Sequence, residues 1–508
     1  MRRCGAVIVP LMIAVIASAH VGSPDVVFSG AAGPYPVHVI VRPPAVVPGL
    51  ADVVVRTTAT DVARVSIQPV FWRTGVAGAP AGDEIKPVAG SPGLYAGQLW
   101  LMARGSYSVY VTVSGARGAG TVVVPVASLA TGRLALTPGL TAILVMLGAL
   151  LAAGLLTIIR AASGESQVPP GEAMDAVRRR RANVVTAVSV PVLALLVFGG
   201  ARWWRAEDSG YQRTMYRSPA AYPTITVGPD NRTLTLVVVD TAAFRAIFTP
   251  VTPDHGKMMH LFLVAMPRMD AFAHLHPVMA ESAAAMKFRT QLPGIAAGRY
   301  RLFGDMTLEN GLSLTVTNTV NVPDARGTVT PADSDDAWTL TYKVTRAAPG
   351  AVRALDDRYS IEWNGGQTPL AARQPVDLQF TVRDSTGRVG ELQPYLGMAG
   401  HAVVVRNDAS VFIHLHPMGT VSAAAQAIFA ARDRGDTTAR GRLRTAAVGS
   451  TGMPPMSDMP GIRGRPAASF SGSISFPYEF PEPGAYRIWV QVKPNGRVLT
   501  GTFDVAVR

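Results

Sequence analysis

The sequence predicts a mainly β protein, with several Ig-like β-sandwich domains outside a membrane and two transmembrane α-helices. Two observations lead to this fold class. Many short segments alternate or run β-branched, are punctuated by Gly and Pro, and lack any long amphipathic helix pattern, which is typical of sandwich domains. Two predominantly apolar runs, each long enough to cross a bilayer, lie between these segments. A chain of 508 residues has room for three or four domains.

The first 19 residues predict a cleavable secretory signal peptide. Two arginines form its charged start, residues 6–16 are apolar, and Ala17-Ser18-Ala19 is a small-x-small cleavage site. A retained signal anchor is the alternative. The single cysteine, Cys4, lies in this segment. The mature protein would then have no disulfide, no zinc-thiolate site and no cysteine nucleophile.

The apolar runs and the loop between them set the predicted topology. Residues 139–159 and 184–204 form the spans, and the loop 160–183 carries the basic run Arg178–Arg181. Because positive charge in short loops marks the cytoplasmic side, we expect this loop inside the cell and both flanking regions outside. The expected location is the bacterial cytoplasmic (inner) membrane, with the main domains facing the periplasm or exterior. The predicted sandwich domains are residues 20–130, 209–324 and 325–508.

The formal net charge of +13 comes mostly from Arg. Recognition of nucleic acid would need a concentrated basic face with interleaved aromatic residues. The only dense basic run is Arg178–Arg181, which the topology explains. We therefore expect no nucleic-acid partner.

Six of the nine histidines fall into two equivalent triplets. The triplets are His260, His274 and His276, then His401, His414 and His416. Each triplet ends in His-Leu-His-Pro, and a glycine (Gly256 or Gly397) lies four residues before its first histidine. A second match, between Gly298-Arg299-Tyr300 and Gly484-Ala485-Tyr486, shows that the two C-terminal domains repeat one another.

Strand geometry predicts that each triplet converges on one face. Residues two apart in a strand point to the same side, so the two histidines of His-Leu-His project together. With Asn407-Asp408 as a two-residue hairpin loop, His401 is expected opposite His414, with His416 as its diagonal neighbour. The first hairpin, with one more loop residue, is expected to place His260 opposite His274.

Three converging imidazoles predict a metal site suited to Zn, Cu, Ni or Fe. Asp305 is a candidate fourth ligand of the first triplet, and His255 is another. The position that matches Asp305 in the second domain is Gln491, so the two sites are expected to differ. The competing interpretation is a structural or pH-sensitive histidine cluster.

Methionines favour copper as the metal, with zinc as the alternative. Met453, Met456 and Met459 recur at three-residue spacing in a Gly/Pro-rich segment, and thioethers select Cu(I). Cleavage after Ala19 would make His20 the mature N-terminus, where its amine and imidazole can chelate Cu(II).

The first predicted domain resembles the small periplasmic Ig-like domains of the YtkA-like and FixH-like families. The resemblance rests on Gly93-Leu94-Tyr95, Gly105-Ser106-Tyr107 and the strand 109–113, about a fifth of the chain. It implies a membrane-tethered role related to copper or to an oxidase. The His-Leu-His-Pro repeats resemble those of uncharacterised bacterial membrane proteins, which implies no mechanism.

Three functional hypotheses follow from the sequence. The first is a membrane-anchored copper-binding protein that stores, delivers or senses the metal, with a periplasmic protein as a further expected partner. The second is an enzyme in which a three-histidine metal activates water or a redox substrate. We assign no catalytic residue, because no general base or nucleophile motif accompanies either triplet. The third is a structural sandwich assembly in which the histidines only pack.

Overall fold

The structure is a computed structural model. It describes residues 25–508 except 135, 167, 170, 230, 240–248, 281–285, 325–332, 342–346, 348, 366–368, 439–442 and 445–468. The predicted signal peptide, His20 and the three methionines Met453, Met456 and Met459 lie outside the described residues. The predicted fold class is confirmed: the chain is mainly β, in several sheets, with two long apolar helices.

The first domain is an eight-stranded antiparallel sheet. Its strands are β1 (Val26–Ala32), β2 (Tyr35–Arg42), β3 (Gly49–Arg56), β4 (Val62–Phe71), β5 (Asp83–Pro87), β6 (Leu94–Leu101), β7 (Gly105–Gly115) and β8 (Gly118–Ser128). The strand order is β1-β2-β3-β6-β5-β4-β7-β8. All eight strands contribute apolar side chains to one core, among them Val39, Val53 and Val109. Alternate residues of each strand point to this core because the side-chain period of a strand is two.

Residues 130–217 form a separate compact unit that contains two helices, α1 (Pro138–Gly164) and α2 (Ala176–Thr214). Both are long and apolar enough to cross a membrane, with mean hydropathy of 2.7 and 2.3 over their most apolar windows. Thr137 and Asp175 cap their N-termini by accepting backbone N–H groups, which supplies partners that a helix start lacks. The predicted spans 139–159 and 184–204 lie inside these helices.

The second domain contains two sheets. Its strands are β9 (Ala220–Val227), β10 (Arg232–Val239), β11 (Val251–Thr252), β12 (His260–Ala265), β13 (Ala271–Leu275), β14 (Val278–Ala280), β15 (Met286–Gln291), β16 (Gly298–Leu308) and β17 (Ser313–Val322). One sheet has the order β14-β15-β10-β9. In the other, β16 lies between β17 and β12, and β12 pairs with β13. This second sheet carries the first histidine triplet.

The third domain repeats this arrangement and adds a helix. Its elements are β18 (Ala337–Leu340), β19 (Val352–Ala354), β20 (Tyr359–Gly365), β21 (Pro375–Asp384), β22 (Glu391–Leu392), β23 (His401–Arg406), β24 (Phe412–Leu415), α3 (Ala423–Asp433), β25 (Phe470–Ser471), β26 (Ser473–Glu479), β27 (Gly484–Val492) and β28 (Leu499–Val507). The sheet β24-β23-β27-β28 carries the second triplet, and the sheet β19-β20-β21-β26 lies on the other side of the core. Strand β18 pairs with β13 of the preceding domain, so the two domains share a sheet.

Candidate metal centre

The two histidine-bearing sheets pack against each other through a shared aromatic core. Phe272 stacks on Trp489 with ring centroids 4.6 Å apart, and Phe412 stacks on Phe303 at 4.3 Å. Each pair joins one domain to the other, and the two pairs occupy equivalent positions in the repeat. Phe272 and Phe412 each lie two residues before the first histidine of His-Leu-His, so the stacks bring the two histidine hairpins face to face.

Seven histidines form one buried cluster at this interface. They are His255, His260, His274, His276, His401, His414 and His416, and each is at most 7% exposed. Every ring lies within about 5 Å of at least one other ring, such as His414 and His416 at 4.7 Å between centroids. The two predicted triplets therefore meet in one centre, which their sequence positions could not indicate.

The predicted strand register is wrong by two residues. Val403, not His401, lies opposite His414, and Phe262, not His260, lies opposite His274. In the second hairpin the cause is a longer loop. The Asp408 side chain accepts the Ser410 backbone N–H, and Ala409 adopts a φ of 58°, so the Arg406 N–H donates to the Val411 carbonyl, while the Arg406 carbonyl accepts the Ala409 N–H within the loop. A shift of two residues keeps the same face, so the histidines still converge.

The histidines group into two triads that differ from the sequence triplets. The first triad is His260, His274 and His414, and the second triad is His255, His401 and His416. In each triad the candidate ligand atoms lie within 4.8 Å of one another. Each triad takes residues from both domains, so neither group exists unless the domains pack together.

The ring spacing of both triads fits three imidazoles around one metal ion. The centroid separations are 5.3, 5.1 and 5.5 Å in the first triad and 5.4, 5.0 and 5.1 Å in the second. A metal–nitrogen bond of 2.0–2.1 Å puts a ring centroid about 3.2 Å from the ion, so two rings at a tetrahedral angle are about 5.2 Å apart. Both triads match this value without a large rearrangement.

Hydrogen bonds determine which nitrogen of His274 carries a lone pair. His274 Nδ1 lies 2.8 Å from Gln491 Oε1 and 3.0 Å from the Tyr395 hydroxyl, which donates its single proton to the Asp335 carbonyl. Both neighbours of His274 Nδ1 are therefore acceptors, so Nδ1 carries the proton and Nε2 the lone pair.

Both ring nitrogens of His260 lie next to an acceptor, and a bound cation makes this arrangement favourable. Its Nδ1 lies 3.1 Å from His274 Nε2, and its Nε2 lies 3.3 Å from the Asp254 carbonyl oxygen. A neutral imidazole has one N–H, so it can donate to only one of these two acceptors, and its lone pair must face the other. A metal ion bound by His260 Nδ1 and His274 Nε2 leaves His260 Nε2 to donate to Asp254. Two nitrogens on a tetrahedral ion are about 3.3 Å apart, close to the observed distance.

The second triad contains buried nitrogens without hydrogen-bond partners. His416 Nδ1 donates to the Val421 carbonyl at 3.0 Å, which leaves the lone pair on Nε2. Among the described residues, nothing hydrogen-bonds to His416 Nε2 or to either nitrogen of His255 and His401. Buried polar atoms are normally hydrogen-bonded, so an unsatisfied set that points into one space is typical of an ion-binding site.

His276 lies beside the first triad and is held by a carboxylate. Asp336 Oδ1 accepts both the backbone N–H of His276 at 2.8 Å and its Nδ1–H at 3.0 Å. The Nε2 atom therefore carries the lone pair, in a ring 4.6 Å from that of His274. Carboxylates often orient metal-binding histidines in this way. His276, Asp336 and Asp333 also form a third group of candidate ligands, in which Lys257 binds Asp333 at 2.5 Å.

Burial keeps most of these imidazoles neutral. It holds the pKa of His260, His274, His401 and His414 well below the usual range, and neighbouring histidines lower each pKa further. Burial also lowers the pKa of His416 to about 4. Neutral imidazole is the form that binds metal ions, so these side chains present lone pairs at neutral pH.

Asp305 lies beside a histidine of the other domain. Its Oδ2 is 3.7 Å from His414 Nδ1, while Oδ1 accepts a hydrogen bond from Thr315. Burial raises the pKa of this carboxyl group to about 7. Asp305 and Gln491 are equivalent, as predicted: they pair with His260 and His401 in the two sheets. Each contacts a histidine of the opposite domain, so Asp305 is placed beside His414 and not within its own triplet.

Sequence reasoning identified all seven histidines but missed residues that position them. These are Asp254, Tyr395 and Asp336. Asp254 and Tyr395 occupy equivalent places, two residues before Gly256 and Gly397, and this spacing was the available signal. Met259 and Met269 pack in the core, where a flexible thioether side chain fills irregular space.

One family covers both histidine domains. It is described as a domain of unknown function (DUF8832), and it matches residues 224–324, 352–444 and 455–508. No curated protein matches the chain in sequence.

Among solved structures, the native form of E. coli alpha-2-macroglobulin aligns at 9% identity and a TM-score of 0.19, over 96% of this chain and 23% of that one. Latent dimeric PorU of Porphyromonas gingivalis aligns at 8% identity and a TM-score of 0.15, over 95% of this chain and 34% of that one. This chain therefore spans about a quarter and a third of those proteins. Similarity at such low TM-scores indicates neither a shared fold nor a shared function.

Proposed function

We propose that this protein is a membrane-anchored extracytoplasmic copper-binding protein that stores, delivers or senses the metal. One observation carries the proposal. At the centre of the first triad, His260 Nδ1 and His274 Nε2 face each other at 3.1 Å, and in either tautomer of neutral His260 its lone pair faces an acceptor. A cation bound by these two nitrogens leaves His260 Nε2 to donate to Asp254, and the third ring of the triad is placed to complete the site.

The unsatisfied ring nitrogens of two histidines support metal binding over packing alone. Buried histidines that only pack would need partners for their N–H groups, because an unsatisfied buried donor costs about 1–3 kcal/mol. His255 and His401 together have four ring nitrogens without hydrogen bonds to the described residues. So many unsatisfied atoms in one space would be destabilising without a ligand.

Copper is favoured by the ligand chemistry. Imidazole binds copper and zinc well, and thioethers add a preference for Cu(I). The methionines Met453, Met456 and Met459 recur in the segment between α3 and β25 of the domain that supplies His414 and His416. A Met-rich segment on that domain is suited to passing copper to or from the buried centre.

The proposed side of the membrane follows from the helices and their charges. The start of α2 carries a basic run, Arg178–Arg181, which is typical of the cytoplasmic side. The domains before α1 and after α2 would then both lie outside the cytoplasm. This placement suits a protein that meets copper in the periplasm or at the cell exterior.

A metal-loading experiment tests the proposal. The full chain in detergent micelles is equilibrated with Cu(I), Cu(II) or Zn(II), desalted and analysed for metal per chain. We expect retained copper in the wild-type protein, and less copper per chain in His274→Gln. The matched control is His38→Gln, because His38 is a half-buried histidine of the first domain that bonds to Ser29. If the folded wild-type protein retains no metal after equilibration with micromolar metal ions, the proposal is wrong.

A further inference from the structure

The two triads lie next to each other inside one buried centre. His414 of the first triad and His416 of the second have ring centroids 4.7 Å apart, and His401 and His414 are 5.2 Å apart. An ion in each triad would sit about 3.2 Å from its own ligand rings, so two ions would be at most about 11 Å apart. Two bound ions would therefore interact strongly, in a region where water is excluded.

The charge of the ions then decides how many can bind. Coulomb repulsion grows with the product of the charges, so two divalent ions repel each other four times as strongly as two monovalent ions at the same distance. The triads offer little to offset a large positive charge. Asp305 lies 3.7 Å from His414 of the first triad, and Asp254 lies 3.5 Å from His255 of the second. Each triad therefore has one carboxyl group in contact.

The nearby lysines do not change this balance. Lys257 pairs with Asp333 and Asp335, and Lys493 pairs with Asp335. The positive charges of these two lysines cancel the negative charges of the two carboxylates. Asp336 is bound to His276 and contacts neither triad directly through the hydrogen bonds that the structure gives. The carboxyl groups in contact with the triads thus supply at most one negative charge per site.

Coordination number points to the same conclusion. Within the described residues, the candidate ligand atoms that lie within 4.8 Å of one another in each triad come from three histidines, and Asp305 and Asp254 stand outside these groups. Zn²⁺ in proteins is almost always four-coordinate, and water is the usual fourth ligand where the protein supplies three. His274 and His401 are fully buried, which leaves little access for such water. Monovalent copper, by contrast, is stable with three nitrogen ligands and needs no water.

We propose that the two triads form a dinuclear Cu(I) centre, which holds two cuprous ions side by side but only one divalent ion. This inference rests on the proposed copper-binding function and specifies its oxidation state and stoichiometry. The pair of sites forms only when both histidine domains pack together, because each triad takes ligands from both.

A stoichiometry measurement on the full chain in detergent micelles tests this inference. The protein is titrated anaerobically with Cu(I), and separately with Zn(II), each against a competing chelator of known affinity. We expect two tightly bound Cu(I) ions and one Zn(II) ion per chain. His274→Gln and His401→Gln, which each break one triad, are expected to bind one Cu(I), and His38→Gln is expected to bind two.

The outcomes separate this inference from the function on which it rests. No bound copper in the wild-type protein overturns both. One Cu(I) per chain leaves the copper-binding function in place and overturns the dinuclear centre. Two Zn(II) ions bound as tightly as two Cu(I) ions overturn the charge argument. The wild-type stoichiometry decides each case, so the test does not depend on whether a variant folds.

Discussion

At the scale of single residues, hydrogen-bond acceptors around the cluster fix which ring nitrogens can bind a metal. Gln491 and Tyr395 hold the proton of His274 on Nδ1, Asp336 does so for His276, and the Val421 carbonyl does so for His416. In each case the Nε2 lone pair is left for a ligand. Such supporting contacts commonly change metal affinity 10–100-fold when they are removed.

Removal of the acceptors of His274 is therefore expected to weaken metal binding. Gln491→Leu should lower copper affinity about tenfold, since Tyr395 still accepts the Nδ1 proton, and the double variant with Tyr395→Phe should lower it further. Competition with a chelator measures both effects. Gln98→Leu, an exposed glutamine of the first domain, is the control and should have no effect. Equal affinity in all four proteins would contradict the assigned role of these acceptors.

The depressed histidine pKa values predict acid sensitivity of the metal-free protein. The folded pKa of His416 is about 4, against about 6.5 for an unfolded histidine. Between these values the unfolded chain binds more protons, so the free energy of unfolding falls as the pH falls. The slope is about 1.4 kcal/mol per pH unit for each histidine that stays neutral.

Denaturant unfolding of the metal-free protein between pH 7 and pH 4.5 measures this dependence. Stability should be highest at pH 7 and should fall steadily below about pH 6.5. The His401→Gln variant should show a shallower slope, because it has one buried histidine fewer. A midpoint that does not change across this range would show that the cluster is not held neutral.

At the scale of elements, two equivalent tight turns deliver the residues that support the cluster. One turn closes Asp254 onto Lys257 and the other closes Tyr395 onto Met398, each by a pair of backbone hydrogen bonds. The glycine at the third position has a φ of 78° in Gly256 and 80° in Gly397. Such positive values favour glycine, because a Cβ would crowd the backbone.

A glycine substitution tests the turn that carries Tyr395. A Cβ on Gly397 would meet no atom within 4 Å, so Gly397→Ala adds backbone strain alone. We expect a loss of about 1–2 kcal/mol in the free energy of unfolding. The matched control is Gly294→Ala, where the added Cβ also meets open space and the φ is not in the left-handed region. A similar effect at both positions would argue against strain at the turn.

The helix α3 was absent from the predicted elements and has a role at the cluster. Ser422 caps its N-terminus, and Asp254 Oδ1 accepts the Ala424 backbone N–H at 3.1 Å. Farther along, Gln426 donates to the Val123 carbonyl of the first domain. The helix therefore connects the turn beside His260 with the first domain.

At the scale of the whole molecule, the first domain packs on the third domain next to the second histidine hairpin. Residues 418–420 bond to the start of β1 through the backbone, as in Ser29 N–H to Met418 O at 2.8 Å and Thr420 N–H to Val27 O at 2.9 Å. Val421, whose carbonyl holds His416, lies in the core of the first domain. The domain before the helices thus helps to position a candidate metal ligand.

An ion pair at this interface gives a measurable prediction. Arg42 donates to both oxygens of Glu479, whose side chain is fully buried, while Arg42 is 29% exposed. Arg42→Met leaves the buried carboxylate unpaired, and we expect a loss of about 3 kcal/mol, the low end of the range for a broken buried pair. Thermal or denaturant unfolding measures it. Arg117→Met, which removes an exposed pair with Asp61, should cost less than about 1 kcal/mol, and equal losses would count against the interface.

The sequence by itself determined the fold class, the two apolar helices and the identity of the seven histidines. Periodicity, hydropathy and repeats are properties of the sequence itself, so they can be recognised without knowledge of the packing. The equivalence of Asp305 and Gln491 could also be predicted from the sequence, because a repeat preserves strand register. The hairpin register was not, since it depended on the Asp408 side chain and the positive φ of Ala409.

Only the tertiary structure decided how the histidines combine. Two sheets from different domains pack through Phe272 on Trp489 and Phe303 on Phe412, and this packing mixes the two sequence triplets into two triads. Contacts between residues more than 100 positions apart, such as His274 with Gln491, leave no local pattern in the chain. The ligands were therefore predictable one by one, while the centre they form depends on long-range packing of the hydrophobic core.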